Sequence, residues 1–366
     1  MPDAVKCMNK MTGKIMAVLV TGGAGYIGSH MVWQLLDSGE DVVVLDRLST
    51  GFDWAVPMEA KLIVGDIGDS ALVVRIIAKY KIESIIHFAA LTVVPDSFAD
   101  PIGYYENNTA KAMALIGAAV RGGVKNFIFS STAAVYGTTG TDPVDENHST
   151  LPVSPYGMSK LMTERVLADA CQASGMKYTI LRYFNVAGAD PKGRTGQSTP
   201  AATHLIKAAC EAATGKRSAL NVFGTDYPSR DGTCERDFIH VSDLVDLHYR
   251  ALCRLRDGQE SMLANAGYGT AYSVKNVIQS VERVTGKKLP AVYGERRGGD
   301  VMTVIADNAR ARQAFNWEPK YADIDVIIAS SLVWERALAM RNTTPGIVPE
   351  DYDMWDVSKV LVSNVP

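Results

Sequence analysis

The feature that most constrains this chain is a glycine-rich turn after its first apolar run. The residues TGGAGYIGSH, positions 21–30, directly follow IMAVLV. Gly22, Gly25 and Gly28 form GxxGxxG, and Gly23 with the last two also forms GxGxxG. Either spacing lets the backbone turn sharply and points the amides of a helix N-terminus at a pyrophosphate. The turn therefore predicts a dinucleotide-binding strand, turn and helix.

Short apolar strands and helices continue to alternate through the first half of the chain. DVVVLD, IESIIHFAA, NFIFSS and YTILRYFNVAG are predicted strands, and helical stretches such as ALVVRIIAKY separate them. Continuous apolar strands divided by helices are typical of a parallel sheet covered on both faces. We therefore predict an α/β fold, a doubly wound parallel sheet of the Rossmann type, with a second, smaller substrate-binding domain.

The boundary between the two domains is predicted near Gly188. The loop ADPKGRTGQSTP follows it, and shorter elements come after. We assign residues 15–188 to the dinucleotide-binding domain and 189–340 mainly to the substrate domain, with segments such as SMLANAGYG returning to the main sheet. Residues 341–366 lack periodicity and are predicted to form a C-terminal tail.

Charge and cysteine usage narrow the class of function. The formal net charge is −3 and no basic run is present, so a nucleic-acid partner is not expected. The five cysteines are scattered and never form CxxC, which argues against a disulfide framework and a thiolate metal site. No segment has the length and apolar character of a membrane span. We expect a cytoplasmic protein without a metal.

An acidic residue selects between the two nicotinamide dinucleotides. Asp46 ends the second predicted strand at the distance from the glycine turn where a carboxylate accepts hydrogen bonds from ribose hydroxyls. A carboxylate there also repels a 2′-phosphate. The position favours NAD over NADP, although the neighbouring Arg47 keeps NADP open.

A tyrosine and a lysine share one helix face in SPYGMSK, positions 154–160. Tyr156 and Lys160 are four residues apart, so an ammonium can lie near the phenol. A nearby cation favours the phenolate and lowers its pKa, which makes tyrosine a usable general base. The alternative is a half-buried aromatic beside a solvated lysine. The glycine turn and the strand-end hydroxyls Ser130, Ser131 and Thr132 favour the catalytic interpretation.

These motifs together resemble a known family. The glycine turn, FIFSSTAAVYG, the YxxxK spacing and LRYFNVAGAD are similar to the extended short-chain dehydrogenase/reductases. Within that family, FGTDYPSRDGTCERDFIHVSDL and RRGGD resemble the UDP-glucose 4-epimerases. The resemblance covers about residues 15–317.

The resemblance implies NAD-dependent 4-epimerisation of a UDP-hexose, such as UDP-glucose and UDP-galactose. Tyr156 would remove the proton of the sugar 4-hydroxyl, Lys160 would lower the pKa of the phenol and hold the nicotinamide ribose, and Thr132 would hydrogen-bond the same hydroxyl. Hydride would pass to NAD, the 4-keto sugar would turn, and hydride would return to its other face. The cofactor would stay bound between turnovers.

The family pattern also implies two sets of binding residues. The cofactor set is Gly22, Gly25, Tyr26, Ile27, Gly28, Asp46, Asp66, Ile67, Phe88, Ala89, Ala90, Asn107, Ser130, Tyr156, Lys160 and Tyr183. The substrate set is Thr132, Asn185, His204, Leu205, Asn221, Phe223, Arg236, Arg297, Asp300 and Val304. Two positions depart from the usual pattern, because Thr92 stands where the family has lysine and His204 where it often has asparagine.

Several related functions are weighed against this one. A 4,6-dehydratase needs an acid pair after the strand-end hydroxyl, where this chain has Ala133 and Ala134. A UDP-pentose 4-epimerase or another nucleotide-sugar enzyme of the family stays open, as does activity on N-acetylated UDP-hexoses. A non-catalytic NAD sensor would not need the tyrosine and lysine. The family also implies a homodimer that pairs helices at about Pro101 to Arg121 and Pro155 to Ser174.

Overall fold

The structure, a computed structural model, describes residues 16–200, 202–297 and 301–343. Asp300 and most of the predicted tail lie outside these residues. The strands are β1 Val18–Thr21, β2 Val42–Asp46, β3 Lys61–Val64, β4 Ser84–His87, β5 Asn126–Thr132, β6 Lys177–Tyr183, β7 Asn185–Ala187, β8 Leu220–Phe223, β9 Glu235–His240, β10 Met262–Ala266, β11 Ala271–Ser273, β12 Ala291–Gly294 and β13 Thr303–Val304.

The helices alternate with these strands. They are α1 Tyr26–Asp37, α2 Ser70–Tyr80, α3 Val94–Ala99, α4 Pro101–Tyr104, α5 Lys111–Arg121, α6 Pro155–Ser174, α7 Leu205–Ala213, α8 Val241–Arg256, α9 Val274–Thr285, α10 Ala309–Phe315 and α11 Ile324–Thr343. A π-helical turn, Tyr105–Ala110, joins α4 to α5, so the helix expected from about Pro101 to Arg121 changes its winding midway.

Seven strands form the main sheet in the order β10, β6, β5, β4, β1, β2, β3. Every neighbouring pair is parallel. The order reverses direction at β1 and β4, as in a doubly wound sheet. The predicted α/β Rossmann-type fold is confirmed.

Alternate residues of β1 enter two different cores. Val18 and Val20 pack in a cluster with residues of α1 and α8. Leu19 packs in a second cluster with α2, α5 and α6. Since all three side chains are fully buried, each contributes about 1.5–3 kcal/mol through removal of apolar surface from water. The continuous apolar strands therefore reflect helices on both sheet faces.

Two small sheets lie beyond the main one. In the first, β9 pairs with β7, β11 and β13, and in the second β8 pairs with β12. β10 returns to the main sheet beside β6 although it lies in the second half of the chain. The boundaries assigned to the two domains stay predictions.

The cysteines and the helices bear on the other sequence-based expectations. Cys171, Cys210 and Cys234 are buried free thiols. Within the described residues, no helix combines the length and apolar character needed to cross a membrane.

Candidate active site

The glycine turn is shaped by close backbone contacts at the carboxyl end of β1. Gly22 has φ +74°, and a Cβ there would lie 2.6 Å from the amide nitrogen of Ala89. A Cβ on Gly28 would overlap the carbonyl of Gly22. Gly25 caps α1, with no side chain over the helix N-terminus. Tyr26 and Ile27 then begin the helix, so its first amides face the loop without a covering side chain.

Asp46 is held against the glycine turn at the end of β2. Its Oδ2 accepts from the amide of Ala24 at 3.0 Å, and its Oδ1 accepts from the amide of Leu48 at 2.8 Å. A carboxylate has about four acceptor positions, so two bonds leave acceptor capacity for ribose hydroxyls. A small cleft beside the turn is lined by Ala24, Gly25 and residues of the loop after β2. These features fit the adenosine half of a dinucleotide.

Asp66 follows β3 and forms the centre of an ionic cluster. Lys111 Nζ lies 2.5 Å from its Oδ2, Arg47 Nη1 lies 3.7 Å from the same atom, and the amide of Gly68 donates to Oδ1. Burial alone would raise the pKa of Asp66. The hydrogen bonds from Lys111 and Gly68 outweigh that effect, so the pKa of Asp66 is lowered. Arg47 also donates to Ser49. The side chain of Arg47 is thus engaged by acidic and hydroxyl partners.

The remaining cofactor candidates lie along the edge next to β1. Phe88 and Ala89 donate their amides to the carbonyl of Thr21 at 2.9 and 3.2 Å, which brings the chain after β4 against the glycine turn. Asn107 lies in the π-helical turn and donates to Asn108. Ile67 is buried, while Ala90 is half-buried.

Three hydroxyl groups meet at the carboxyl ends of β5 and β6. Thr132 and Tyr183 are register partners at these strand ends. Tyr156 lies in the first turn of α6, which Ser154 caps by accepting from the amide of Gly157 at 3.1 Å. The phenol of Tyr156 is close enough to Thr132 and Tyr183 for both side chains to influence its pKa. The predicted catalytic tyrosine and threonine are therefore brought together.

Burial determines the direction in which the pKa of Tyr156 moves. The side chain is only 5% exposed, and burial raises its pKa well above the ordinary value. Tyr183 also raises it, whereas the hydrogen bond from Thr132 lowers it. In the protein alone burial outweighs any lowering, because the buried phenolate loses its hydration. The lowering by Lys160 stays a prediction.

Lys160 contacts the strand β5 beneath the phenol. Its Nζ donates to the carbonyl of Ser130 at 2.9 Å and lies 4.9 Å from the ring centre of Phe129. The residue is 2% exposed, and burial lowers its pKa to about 7, partly offset by Glu164. A lysine with this pKa carries its charge in only part of the molecules at neutral pH, so it can exchange a proton there.

His87 is a buried neighbour that the sequence analysis did not identify. At the end of β4 its Nδ1 pairs with the hydroxyl of Thr21 at 2.7 Å, and its ring stacks on Phe129 at 5.7 Å. Burial, together with the charge of Lys160, lowers the pKa of His87 to about 3. The imidazole is therefore neutral below the catalytic edge.

A buried ion pair supports the same strand ends. Arg182 donates to both carboxylate oxygens of Glu164, at 3.0 and 2.6 Å, and Ser131 donates to Glu164 at 2.5 Å. Both charged groups are about 5% exposed or less. The sequence pattern gave no signal for this pair, because its members come from α6 and β6. It ties the helix of Tyr156 to the strand of Tyr183.

The substrate candidates lie on elements of the second half of the chain. A cleft is lined by Asn185 on β7 and by His204 and Leu205 at the start of α7, and it also contacts Tyr26 and Gly188. The side chains of Asn221 and Phe223 on β8 are exposed. The two halves of the chain thus face each other across this cleft, at the carboxyl edge of the main sheet where α/β proteins bind ligands.

The two arginines of this set have different contacts. Arg236 pairs with Val304 across β9 and β13, and its Nη1 donates to the carbonyls of Glu235 and Met302. The guanidinium of Arg297 lies 5.1 Å from the ring centre of Phe223.

Val304 lies next to the catalytic strand ends. It is partly buried and packs against a cluster that includes Ala133, next to Thr132, and Phe184, next to Tyr183. The remaining substrate candidate, Asp300, lies outside the described residues.

Among the residues that the structure describes, no group of three or more potential ligands could hold a metal ion.

Comparisons with known proteins agree with this arrangement. Residues 18–267 match the model of the NAD dependent epimerase/dehydratase family. A UDP-glucose 4-epimerase of Azospirillum brasilense is 50% identical over 331 residues, 90% of this chain and 95% of the relative.

Two solved structures are also similar. The Brucella ovis UDP-glucose 4-epimerase in complex with NAD has a TM-score of 0.84 and 40% identity, with 87% of this chain and 97% of that chain covered. The UDP-Glc/GlcNAc 4-epimerase of Campylobacter jejuni has a TM-score of 0.77 and 43% identity, covering 88% and 99%.

Proposed function

The chain belongs to the NAD dependent epimerase/dehydratase family, and on that premise we propose that it interconverts UDP-glucose and UDP-galactose by NAD-dependent 4-epimerisation. The observation that carries the proposal is that Thr132 and Tyr183 are register partners at the ends of β5 and β6, beside Tyr156 in the first turn of α6 and with the buried Lys160 one turn further along that helix. This group lies at the carboxyl edge of the sheet, beside the chain that contacts the glycine turn. An alcohol oxidation needs a proton acceptor there.

The chain's own residues fit NAD. The open helix N-terminus at Gly25 suits the pyrophosphate, and Asp46 retains acceptor capacity for the adenosine ribose. We assign the adenine to the neighbourhood of Asp66 and Ile67, and the nicotinamide ribose to Tyr156 and Lys160. When bound, NAD supplies a hydride acceptor and, in its oxidised ring, a positive charge that favours the phenolate.

Tyr156, Thr132 and Lys160 have different roles in the transfer of the hydroxyl proton. Tyr156 takes the proton of the sugar 4-hydroxyl and returns it when the 4-keto sugar is reduced on its other face. Thr132 orients that hydroxyl, since its side chain lies at the end of β5 beside the phenol. Lys160, buried one turn along α6 from Tyr156 and with a pKa of about 7, would hold the nicotinamide ribose beside the phenol.

The groups after Thr132 argue against dehydration. A 4,6-dehydratase needs an extra acid and base beside the sugar, but Ala133 and Ala134 begin a 3₁₀ turn at this place. The amide of Ala134 donates to Thr132 Oγ1 at 3.2 Å. A methyl group neither donates nor accepts a proton, so the site supports oxidation and reduction at carbon 4 only.

The experiment is an equilibration from both directions. Purified protein is incubated separately with UDP-galactose and UDP-glucose, and the sugars are separated by anion-exchange chromatography. We expect the two reactions to reach the same mixture without added NAD. A UDP-4-keto-6-deoxy sugar would support the dehydratase alternative. Faster conversion of UDP-xylose would support the pentose alternative, and no conversion of any of them would contradict an enzymatic role.

The substrate range extends to N-acetylated UDP-hexoses in our proposal. The similar protein of Campylobacter jejuni is described as a UDP-Glc/GlcNAc 4-epimerase. In this chain Val304, which has a small side chain, packs near the catalytic strand ends. A small residue leaves more room for an acetamido group than a large aromatic one.

A homodimer completes the proposal. Helices α3 to α6 carry large apolar side chains that are exposed in the single chain: Phe98 is 49% exposed, Ile102 64%, Met113 54% and Met162 44%. Several such residues on neighbouring helices are typical of a protein interface. Because a pair of identical chains forms a self-complementary contact about a twofold axis, a second copy is the partner we assign to these helices.

A further inference from the structure

The loop before α7 connects the substrate cleft to a buried charged cluster. Gln197 is 9% exposed, and its Nε2 lies 3.0 Å from Nδ1 of His204. Gln197 and His204 line the same cleft as Asn185. The glutamine was not among the sequence candidates, because nothing in the pattern GQSTP distinguishes it from an ordinary loop residue.

The position of Gln197 is fixed by two helices. Lys207 on α7 donates to the backbone carbonyl of Gln197 at 3.0 Å and forms a buried ion pair with Glu335 on α11. Trp334 on α11 donates its indole N–H to Ser198 at 3.3 Å. A Cβ on Gly196 would overlap the Trp334 ring, so the loop lies directly on that ring. The loop therefore has little freedom, and the side-chain amide of Gln197 is held in one place.

The hydrogen bond decides which imidazole nitrogen carries the proton. In the orientation that the amide of Gln197 has in the structure, its nitrogen faces Nδ1 of His204 and donates, so Nδ1 accepts and is unprotonated. A neutral imidazole then carries its proton on Nε2 and has one donor left. His204 is exposed at the cleft, so this donor is available to a ligand.

We propose that Gln197 is a positioning residue, whose amide holds His204 as the Nε2–H tautomer so that the imidazole donates to an oxygen of the UDP-sugar bound beside Asn185. The proposal rests on the proposed function. Gln197 does not touch the reacting carbon, so its role is in binding. The buried pair of Lys207 and Glu335 supports this bond through the loop backbone.

The first test measures the tautomer directly and does not use turnover. Nitrogen NMR of histidine-labelled protein at neutral pH distinguishes a protonated from an unprotonated ring nitrogen, and loss of one signal set in His204→Asn assigns the residue. We expect Nδ1 of His204 to be unprotonated. A protonated Nδ1 would overturn the proposal. Failure of the wild-type protein to convert any UDP-sugar would instead count against the proposed function.

The second test is a double-mutant cycle on UDP-galactose conversion. Gln197→Met removes the amide that donates to Nδ1 and adds no charge, so we expect KM to rise roughly fivefold with little change in kcat. Gln197→Leu, which also lacks the donor, serves if Gln197→Met folds poorly. In the His204→Asn background neither change should alter KM by more than about twofold. An equal rise in both backgrounds would show a merely structural glutamine and overturn the proposal.

Discussion

Thr132 and Tyr183 are register partners across β5 and β6, and the side chains of both influence the pKa of Tyr156. The phenol therefore has a hydroxyl neighbour on each of two strand ends. Burial keeps it protonated in the protein alone, since its pKa is raised well above 10. A proton acceptor that is protonated at rest must be activated when cofactor and substrate bind, and this relationship sets the first expectation.

Tyr156→Phe should abolish most turnover while leaving the fold intact. Phenylalanine keeps the ring in its buried site and its edge contact with Tyr104, but it cannot take a proton. General base catalysis is typically worth about 10² to 10⁴ in rate, so kcat on UDP-galactose should fall by that order. Tyr178→Phe, on the same sheet at the far end of β6, is the matched control and should keep its activity. Near-normal turnover in Tyr156→Phe would place the base elsewhere.

The buried lysine should leave a signature in the pH dependence of stability. Lys160 loses its proton near pH 7 when folded, against 10.5 for an ordinary lysine. Between these values the unfolded chain binds more protons, so the contribution of Lys160 to the free energy of unfolding rises with pH, by at most about 1.4 kcal/mol per unit. The free energy of unfolding of the wild-type protein minus that of Lys160→Met should therefore increase from pH 7 to 9.

Urea denaturation at three pH values measures this difference. Lys125→Met is the matched control, because Lys125 is exposed. For this variant the difference in the free energy of unfolding from the wild type should not change with pH. A difference for Lys160→Met that stays flat over the same range would mean that the ammonium is not desolvated in the fold.

The local parts of the site could be predicted from the sequence. The glycine turn depends on backbone space within a few residues, and the strand-end positions of Asp46 and Thr132 follow from apolar runs that end in polar residues. Tyr156 and Lys160 lie on one helix, so their spacing fixed their relative position. The fold class followed from the alternation of strands and helices.

The long-range partners could not be predicted in this way. His87 contacts Thr21 across 66 residues, and Arg182 meets Glu164 from a different element. Such contacts depend on the order of strands in the sheet, which no local pattern specifies. The raised pKa of Tyr156 has the same origin. The helix spacing predicted a cation nearby, but burial and the direction of the lysine side chain are set by β5.

Asp46 should control retention of NAD. We expect the purified protein to release NAD on denaturation, because a reaction that leaves its cofactor unchanged does not require exchange. Asp46→Asn removes the charged acceptor, and loss of one hydrogen bond to a charged group, worth about 1.5–3 kcal/mol, should weaken NAD binding about 10- to 100-fold.

The absorbance spectrum of the denatured supernatant measures the bound NAD. Asp41→Asn is the matched control, since Asp41 is exposed just before β2 and should not change the NAD content. Equal NAD content in Asp46→Asn and wild type would remove Asp46 from the cofactor site.

The exposed apolar side of α3 to α6 should govern the oligomeric state. Met113→Glu introduces a charge on α5, at a residue 54% exposed in the single chain. If a second copy covers this helix, the buried charge should convert a dimer into a monomer at micromolar concentration. Met58→Glu is the matched control, because Met58 is 99% exposed and outside these helices. Light scattering that gives a monomeric mass for the wild type would contradict the pairing.

The size of residue 304 should set the breadth toward N-acetylated sugars. Val304 is partly buried, pairs with Arg236 through the strand ladder, and packs in the cluster that contains Ala133 and Phe184. A tyrosine at this position would add a ring beside the strand ends that carry Thr132 and Tyr183. Val304→Tyr should therefore lower kcat/KM on UDP-N-acetylgalactosamine by about 5- to 100-fold, since overpacking typically costs about 1–3 kcal/mol, and should change kcat/KM on UDP-galactose much less. Val304→Ile, which keeps the branched aliphatic character, is the matched control and should preserve both activities. A wild-type protein that ignores the acetylated sugar, or equal losses on both substrates in Val304→Tyr, would show that residue 304 is ordinary strand packing.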